Sequence, residues 1–572
     1  MSKTSTNRRH FIGMAGFGLA AACARFSRFA YALGSADADL IVSNARIYTV
    51  DDAQPTASAF AIKNGRFVAV GKADDILAMG GPNTLRLDAA GATIVPGFND
   101  AHLHAEGQTL LYEVNVGNPF EVEFVTIDSI IQKLRKKAEE TPDGFWVEGF
   151  FYDDTKVKDG RLINRLDLDK VSTKHPVRVR HRGGHTSFYN SRAFELAGVD
   201  ANTADPPGGE YFRDANGLTG RVAERANAVI YAAGKKVEYT STEKASRARA
   251  GAAHFSQVLV RYGVTSVQTS TRQFGDLDAL QYVHRNGELR HRVSFEVAGD
   301  LLEAMIANGI RTGFGDEWLR LGATAENTVD GSLSERTARL SQGYPGIDPP
   351  YYGIMTQSQD ELNAWAERVH RAGIRLNCHA NGDVGIDAAL KAYERALQLS
   401  PVPDARPKIT HCSIVNDDLL RRMKAIGAVP ATFTTYTYYN SDKFPYYGKE
   451  IMNRALPFRS FIDWGITAAA GSDYPPGPFA PLMGIQGLVT RKGWDGKVWG
   501  EKQRVSVAEA LRIHTLNGAY CSHEEQDKGS ITPGKLADFV MLSEDPHSLD
   551  PEKILGIKVL KTYTGGHPVY EA

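Results

Sequence analysis

The residues best suited to chemistry in this sequence are histidines and acids at the ends of short apolar runs. His102 and His104 are separated by one residue, which in a strand places both imidazoles on the same face. Imidazole and carboxylate together form ligand sets for Zn²⁺, and also for Mn²⁺ or Fe²⁺. We therefore predict a site for one or two divalent metal ions, Zn²⁺ first, made by six residues: His102, His104, Glu326, His379, His411 and Asp473.

The elements that must position these residues alternate between strand-like and helical patterns, which is typical of βα units. Eight strands are predicted, at 93–104, 263–269, 292–298, 319–326, 374–379, 408–411, 428–433 and 467–473. The seventh contains Pro430, which cannot donate a ladder hydrogen bond. Eight such units predict an α/β fold with a (β/α)₈ TIM barrel. The active site of such a barrel lies at the carboxyl ends of its strands, where the six residues stand.

Both ends of the chain have short strands with turn residues instead of βα units. Asn64-Gly65 predicts a tight hairpin near the start, and Gly565-Gly566 predicts a turn near the end. We predict a small β-sandwich domain built from both termini, 37–95 plus 527–572, and a barrel domain over 96–526. The stretch from about 106 to 250 is too long for one connection, so we predict a large insertion there after the first strand.

The first 36 residues have the pattern of a targeting segment. Arg8-Arg9 precedes a short apolar run, and Ala30-Tyr31-Ala32 offers a cleavage site. The run is too short to span a bilayer in the mature protein. We predict a twin-arginine signal peptide over 1–36, export by the twin-arginine machinery, a periplasmic location and no stable membrane association after cleavage.

Composition excludes several classes of protein. The 572 residues carry a formal net charge of −1, which gives no general attraction to nucleic acid, so we expect no nucleic-acid partner. Four cysteines are too few for a disulfide scaffold. Cys378 and Cys412 adjoin candidate ligands, and we interpret them as buried small apolar residues. The partner implied is a small-molecule substrate, and the oligomeric state stays open, a homo-oligomer included.

The motifs around the candidate ligands resemble those of one enzyme family. Residues 94–104 are similar to the opening metal motif of the amidohydrolase superfamily. Later motifs resemble its third family, the branch that contains N-substituted formamide deformylases: 330–333, 379–383, 411–412, 471–473 and the C-terminal 529–538. The resemblance covers nearly the whole chain after the signal segment.

The resemblance implies a role for each candidate residue. His102 and His104 would hold a buried metal and His379 and His411 a more exposed one, while Asp473 would ligate the buried metal and transfer protons. Many relatives carry a carboxylated lysine that bridges two metals where this chain has Glu326. A glutamate already supplies a bridging carboxylate, although its shorter reach also allows a single metal.

The function that follows is hydrolysis of a C–N bond in an N-acyl or N-formyl amide by metal-activated water, with Asp473 as the proton shuttle. A family-like loop places His185 near the substrate, and Tyr436 follows the seventh strand, so both are predicted to bind substrate. Hydrolysis of a lactone, carbamate or cyclic ureide is the alternative. A periplasmic binding protein without catalysis is a third interpretation, which the presence of Asp473 disfavours.

Overall fold

The computed structural model describes residues 37–105 and 107–572. The predicted signal segment 1–36 lies outside the described residues. No helix within the described ranges is both long and apolar enough to cross a membrane.

Eight parallel strands form the centre of the α/β fold, each within a few residues of its predicted position. They are β1 Phe98–Leu103, β2 Val264–Thr271, β3 Arg292–Val297, β4 Leu319–Thr324, β5 Asn377–Ala380, β6 Lys408–His411, β7 Val429–Phe433 and β8 Ala469–Gly471. One sheet has the order β4-β3-β2-β1, and the other runs from Asn327–Thr328 through β5, β6 and β7 to β8. Pro430 lies within β7, as the sequence predicted.

Hydrogen bonds join the two sheets at both ends. Beside β8, the Asp473 amide donates to His102 O in β1 (2.8 Å), and the His104 amide donates to Tyr474 O (2.8 Å). On the other side, the Thr324 amide at the end of β4 donates to Arg375 O, just before β5 (2.9 Å). The strand ends that carry the candidate ligands therefore meet on one side of the fold.

Helices connect the central strands and follow the last of them. They span Ser241–Arg261, Phe274–Arg285, Gly299–Ala307, Gln359–Arg371, Asp383–Leu399, Asp417–Ile426, Tyr436–Tyr439, Gly448–Met452, Phe458–Asp463, Pro481–Thr490, Val507–Ile513 and Leu516–Cys521, with 3₁₀ turns at Ser441–Tyr446, Glu501–Gln503 and Pro551–Gly556. Capping boxes at Ser358 and Ser506 begin the helices Gln359–Arg371 and Val507–Ile513. The serine side chain accepts a hydrogen bond from a backbone amide in the first turn, which satisfies an otherwise unpaired donor.

The predicted first strand, 93–104, is wrong as one element, because it divides at Gly97. Thr93–Pro96 pairs with Phe539–Leu542 of the β-rich end, while β1 begins at Phe98 and pairs with β2. A Cβ at Gly97 would lie 2.0 Å from Thr265 Oγ1. Glycine is required there because the chain crosses between two sheets in close contact with β2.

Strands from both ends of the described chain form two packed sheets. One has the order Arg66–Gly71, Ala59–Lys63, Leu40–Ser43, Leu85–Asp88, and the other has the order His567–Glu571, Val559–Thr564, Phe539–Leu542, Thr93–Pro96, Arg46–Tyr48, Thr56–Ala57, with the helix Ala73–Leu77 alongside. Phe60 of the first sheet contacts Phe539 of the second, with 5.0 Å between ring centroids. The Asn64-Gly65 hairpin forms as predicted, with φ of 50° and 72°.

The stretch between β1 and β2 folds around a mixed sheet of its own. The strand order is Gly209–Asp214, Gly217–Glu224, Thr186–Tyr189, Val177–His181, Val147–Tyr152, Val114–Asn115. Helices accompany it at Gly107–Tyr112, Ile127–Glu139, Arg165–Asp169, Ser191–Ala197 and Ala226–Ala232. Separate apolar clusters pack on this sheet, so the stretch has its own core.

Candidate metal centre

The structure brings all six predicted ligands together at the carboxyl ends of the central strands. His102 lies in β1, and Asp473 follows β8, its neighbour. Asp473 Oδ1 is 3.2 Å from His102 Nε2 and 3.3 Å from His104 Nε2. Glu326, after β4, approaches the same histidines, with its carboxylate oxygens 4.0 Å from His102 Nδ1 and 3.7 Å from His104 Nε2. Two histidines and two carboxylates therefore surround one small volume.

The remaining two histidines form an adjoining pair. His411 Nε2 lies 2.9 Å from His379 Nδ1. The other nitrogen of His379, Nε2, lies 3.2 Å from Gly331 O and 3.1 Å from Asn381 Nδ2. A donor bond to Gly331 O would leave Nδ1 of His379 as the free ligand atom, directed at His411. The ring of His411 is 5.3 Å from that of His102, so both groups border one site.

Asp330 of the Asp330-Gly331 motif holds these loops in place through hydrogen bonds to their backbones. Asp330 is buried and accepts three backbone hydrogen bonds of 2.8 Å, from the amides of Arg339, Asn381 and Gly382. Burial nevertheless raises the pKa of its carboxyl to about 7. Asp330 therefore ties the loop after β4 to the loop after β5, which carries Asn381 beside His379.

The carboxylates of the site are held ionised. Burial opposes ionisation of Asp473, but its contacts with the imidazoles of His102 and His104 hold its pKa well below the usual range. Burial likewise opposes ionisation of Glu326, but His104, His102 and Arg272 hold its pKa below the usual range.

The histidines of the pair are held neutral. Burial, with the nearby charge of His185, lowers the pKa of His379 to about 3. Burial also lowers the pKa of His411 well below its ordinary value. Metal ligands must be deprotonated, so ionised carboxylates beside neutral imidazoles are the state that a cation requires.

Unpaired nitrogens show that the residues fit a metal. Among the described residues, neither ring nitrogen of buried His102 makes a hydrogen bond, and its 3.2 Å contact with Asp473 lacks hydrogen-bond geometry. Nδ1 of His411 is also buried without a partner in those ranges. Buried polar atoms are nearly always satisfied, so these nitrogens call for a ligand of another kind. A divalent cation satisfies both the unpaired nitrogens and the adjacent negative charge.

Two site residues adopt backbone conformations that non-glycine residues rarely hold. His411 has φ of 74° and Asp473 has φ of 53°, both in the left-handed region. Each such residue costs about 1–3 kcal/mol and persists where the surrounding structure enforces it. The strand ends at β6 and β8 are therefore bent to direct these side chains into the centre.

A cavity of about 340 Å³ opens beside the ligands. Its walls include His104, Glu326, His379, His411 and Asp473, in or just after the central strands, and Phe150, Phe151 and 180–185 from the stretch between β1 and β2. The stretch between β1 and β2 thus covers the candidate centre and forms one wall of the cavity.

A sequence model described as the amidohydrolase family matches residues 87–570. The chain belongs to the amidohydrolase family. It is 26% identical to the N-substituted formamide deformylase of Arthrobacter pascens, over 93% of this chain and 98% of that protein. It is 27% identical to the protein LONG AFTER FAR-RED 3 of Arabidopsis thaliana, over 93% of this chain and 92% of that protein.

A solved metal-dependent hydrolase from Pyrococcus horikoshii OT3 has the same fold. The two structures align with a TM-score of 0.69 and 23% sequence identity, over 90% of this chain and 99% of that chain. Family membership confirms the predicted third-family resemblance and the prediction that this protein is an enzyme, a hydrolase of C–N bonds. The interpretation as a binding protein without catalysis is therefore set aside.

In this amidohydrolase, His185 lines the cavity, and its ring centroid lies 5.0 Å from that of His379. Its Nδ1 lies 3.0 Å from both carboxylate oxygens of Glu224. Burial opposes protonation of His185, but the Glu224 carboxylate raises its pKa to about 10. The Glu224 contact, which the sequence analysis did not include, fixes Nδ1 as a donor and leaves Nε2 for another partner.

The structure places Tyr436 behind the amidohydrolase cavity instead of in its wall. Tyr436 is buried, and its ring stacks on Phe433 at a centroid distance of 3.8 Å. Phe433 stacks in turn on the imidazole of His411, at 4.3 Å. The predicted substrate contact of Tyr436 is therefore corrected: β7 directs the following turn inward, and the ring supports His411 from behind.

Proposed function

We propose that this amidohydrolase cleaves the C–N bond of an N-acyl or N-formyl amide. The observation that supports this most is the combination of neutral histidines, ionised carboxylates and unpaired buried nitrogens beside one cavity. The relative that is named N-substituted formamide deformylase supports an amide as the bond.

Each ligand has a proposed role. His102, His104 and Asp473 would hold one cation, His379 and His411 a second, and Glu326 would bridge them. We propose Zn²⁺, with Mn²⁺ or Fe²⁺ as alternatives, since imidazole and carboxylate suit all three. A bound cation would supply Lewis-acid activation of water and of the substrate carbonyl.

The protein's own groups then carry the proton and orient the substrate. Water forms a bond to the carbonyl carbon, the C–N bond breaks, and Asp473 moves a proton from the water to the departing nitrogen. Nε2 of His185 would donate a hydrogen bond to the carbonyl oxygen, where negative charge develops. Glu224 holds the imidazole in that orientation from its other side.

The proposed architecture follows the same lines. We propose one closed (β/α)₈ barrel over 96–526, with an insertion over about 106–250, and a composite β-sandwich domain of 37–95 plus 527–572. The inter-sheet hydrogen bonds beside His102 and Thr324 support closure of the barrel. The contact between Phe60 and Phe539 supports the sandwich.

The proposed location is the periplasm, after export by the twin-arginine machinery and removal of residues 1–36. The support is the sequence alone: Arg8-Arg9, the short apolar run and Ala30-Tyr31-Ala32. The proposed partner is a small-molecule substrate.

A substrate panel tests the reaction. Zn²⁺-loaded enzyme is assayed with N-formyl and N-acyl amines, and with lactones, carbamates and cyclic ureides of similar size. We expect the highest kcat/KM for an amide, with release of amine and acid in equal amounts. A faster reaction with a lactone, carbamate or ureide would replace the proposed bond with that one, and inactivity on every compound would refute the proposal.

A further inference from the structure

Three arginines line the cavity beside the metal centre, and two of them are occupied by protein groups. Arg182 donates to the carbonyls of Pro475 and Pro476, and to the hydroxyl of Tyr439. Arg272 pairs with Glu326, with 3.1 Å between Nη2 and Oε1. These two guanidinium groups hold the architecture of the site together.

The third, Arg180, has no such partner. In residues 37–105 and 107–572 its guanidinium makes no hydrogen bond or ion pair, although the residue is half-buried in the cavity wall. A Cβ at Gly184 would lie 3.3 Å from Arg180 Nη2, so the guanidinium lies against the Gly184 backbone, next to His185. A cation without a counter-charge therefore stands beside the proposed carbonyl-binding histidine.

Arg178 provides an internal comparison. It precedes Arg180 by two residues in the strand Val177–His181 and lies on the same half-buried face. Its guanidinium approaches Glu148 at 3.4 Å and covers the ring of Tyr231, at 4.6 Å from the centroid. Arg178, away from the cavity, thus has a counter-charge. Arg180, which lines the cavity, has none within the described ranges.

This difference indicates an anionic ligand. A partly desolvated charge is costly unless it is paired, so an arginine that the protein leaves unpaired in a binding cavity is suited to a ligand's charge. The planar guanidinium binds a carboxylate through two parallel hydrogen bonds.

A second chamber adjoins the first and indicates the character of the rest of the ligand. It measures about 310 Å³, and His104, Thr109 and Arg272 line both spaces. Ala252, Phe255, Ala279 and Leu280 supply apolar walls, among others. This space is suited to an aromatic or aliphatic group, and we choose a benzyl group as the probe for the test below.

We propose that the substrate is an amide that carries a carboxylate, and that Arg180 binds this carboxylate. The proposal rests on the proposed amide hydrolysis and specifies its substrate class. The amide carbonyl meets His185 and the metal centre, while the carboxylate pairs with the guanidinium beside Gly184.

The test compares two substrates that differ only in the carboxylate. N-formylphenylalanine, as each enantiomer, and N-formyl-2-phenylethylamine are hydrolysed by metal-loaded wild type, Arg180→Met and Arg178→Met. For wild type we expect kcat/KM to be about 10- to 100-fold higher for one enantiomer of the acid than for the neutral amide. This is the range of a charge-assisted hydrogen bond. Arg180→Met should lose this preference through KM, and Arg178→Met should keep it.

Two results would overturn the substrate class while leaving amide hydrolysis intact: equal rates on acid and neutral amide in wild type, or an unchanged preference in Arg180→Met. If neither compound is hydrolysed, the carboxylate-binding role of Arg180 is tested by calorimetry, which measures the binding of 3-phenylpropanoate to the metal-loaded proteins. At least about tenfold weaker binding to Arg180→Met than to Arg178→Met supports the anchor even though the proposed reaction fails. Equal binding by the two variants refutes it.

Discussion

Replacing Lys408 by methionine should destabilise the protein strongly, because this lysine neutralises a charge inside the fold beneath the candidate metal centre. Lys408 Nζ lies 2.6 Å from Glu296 Oε1, and the two side chains are 0% and 1% exposed. The lysine also donates to Ala101 O (2.6 Å) and Gln268 Oε1 (3.2 Å). With the lysine removed, Glu296 keeps only its 3.1 Å hydrogen bond from Asn377 among the described residues.

The expected loss is about 3–5 kcal/mol of unfolding free energy, the range for breaking one partner of a buried ion pair. The double variant Lys408→Met/Glu296→Gln removes both charges and should be more stable than Lys408→Met alone. The interaction free energy between the two positions is expected to be about 2–3 kcal/mol. Metal content should also fall, since Lys408 contacts the backbone just before His102 and lies in the strand that ends at His411.

Urea unfolding of the purified protein measures the effect, with midpoints compared at equal slopes. Lys558→Met, at an exposed position, is the matched control and should stay within about 0.5 kcal/mol of wild type. A Lys408→Met midpoint equal to that of the control would refute the reasoning. So would purely additive effects of the Lys408 and Glu296 changes.

Four further predictions concern Glu326, Asp473, His514 and the pair Arg8-Arg9. Glu326→Gln should lower metal content from about two ions per chain toward one by elemental analysis; unchanged content would remove the bridging role. Asp473→Asn should retain more metal yet lose about 10²–10⁴-fold in kcat, and an active variant would exclude it as the proton carrier. Burial lowers the pKa of His514 to about 3, below its ordinary 6.5. Between pH 6.5 and 3 the imidazole of His514 is protonated in the unfolded chain but not in the folded protein. The free energy of unfolding is therefore highest above pH 6.5 and falls as the pH drops. His514→Met should make this fall smaller in urea titrations. Arg8→Lys with Arg9→Lys should leave precursor in the cytoplasm on fractionation, and normal delivery would exclude the twin-arginine route.

The parts of the site that could be predicted from sequence depend on local rules. One residue separates His102 from His104, and strand geometry alone puts them on one face. The carboxyl ends of parallel strands meet at one edge, which is why Glu326 and Asp473 could be assigned to the same place although far apart in sequence. The Asn64-Gly65 turn likewise follows from local conformational preference.

The parts that could not be predicted depend on pairing between distant segments. Glu224 reaches His185 because Thr186–Tyr189 pairs antiparallel with Gly217–Glu224, and the Glu224 amide donates to His185 O (2.8 Å). No periodicity in the sequence encodes that register. The inward turn that buries Tyr436 and the crossing at Gly97 also result from tertiary packing, which hydrophobic patterns do not report.

The most direct test of the central claim measures metal and turnover in the same samples. Purified wild type and His102→Ala/His104→Ala are analysed for bound metal and assayed with an N-formyl amide across a series of chelator and Zn²⁺ additions. We expect wild-type activity to rise in proportion to bound metal, and the double variant to lose both metal and activity. Full hydrolysis by wild type stripped of metal would contradict the assignment of these histidines and carboxylates as a catalytic metal centre.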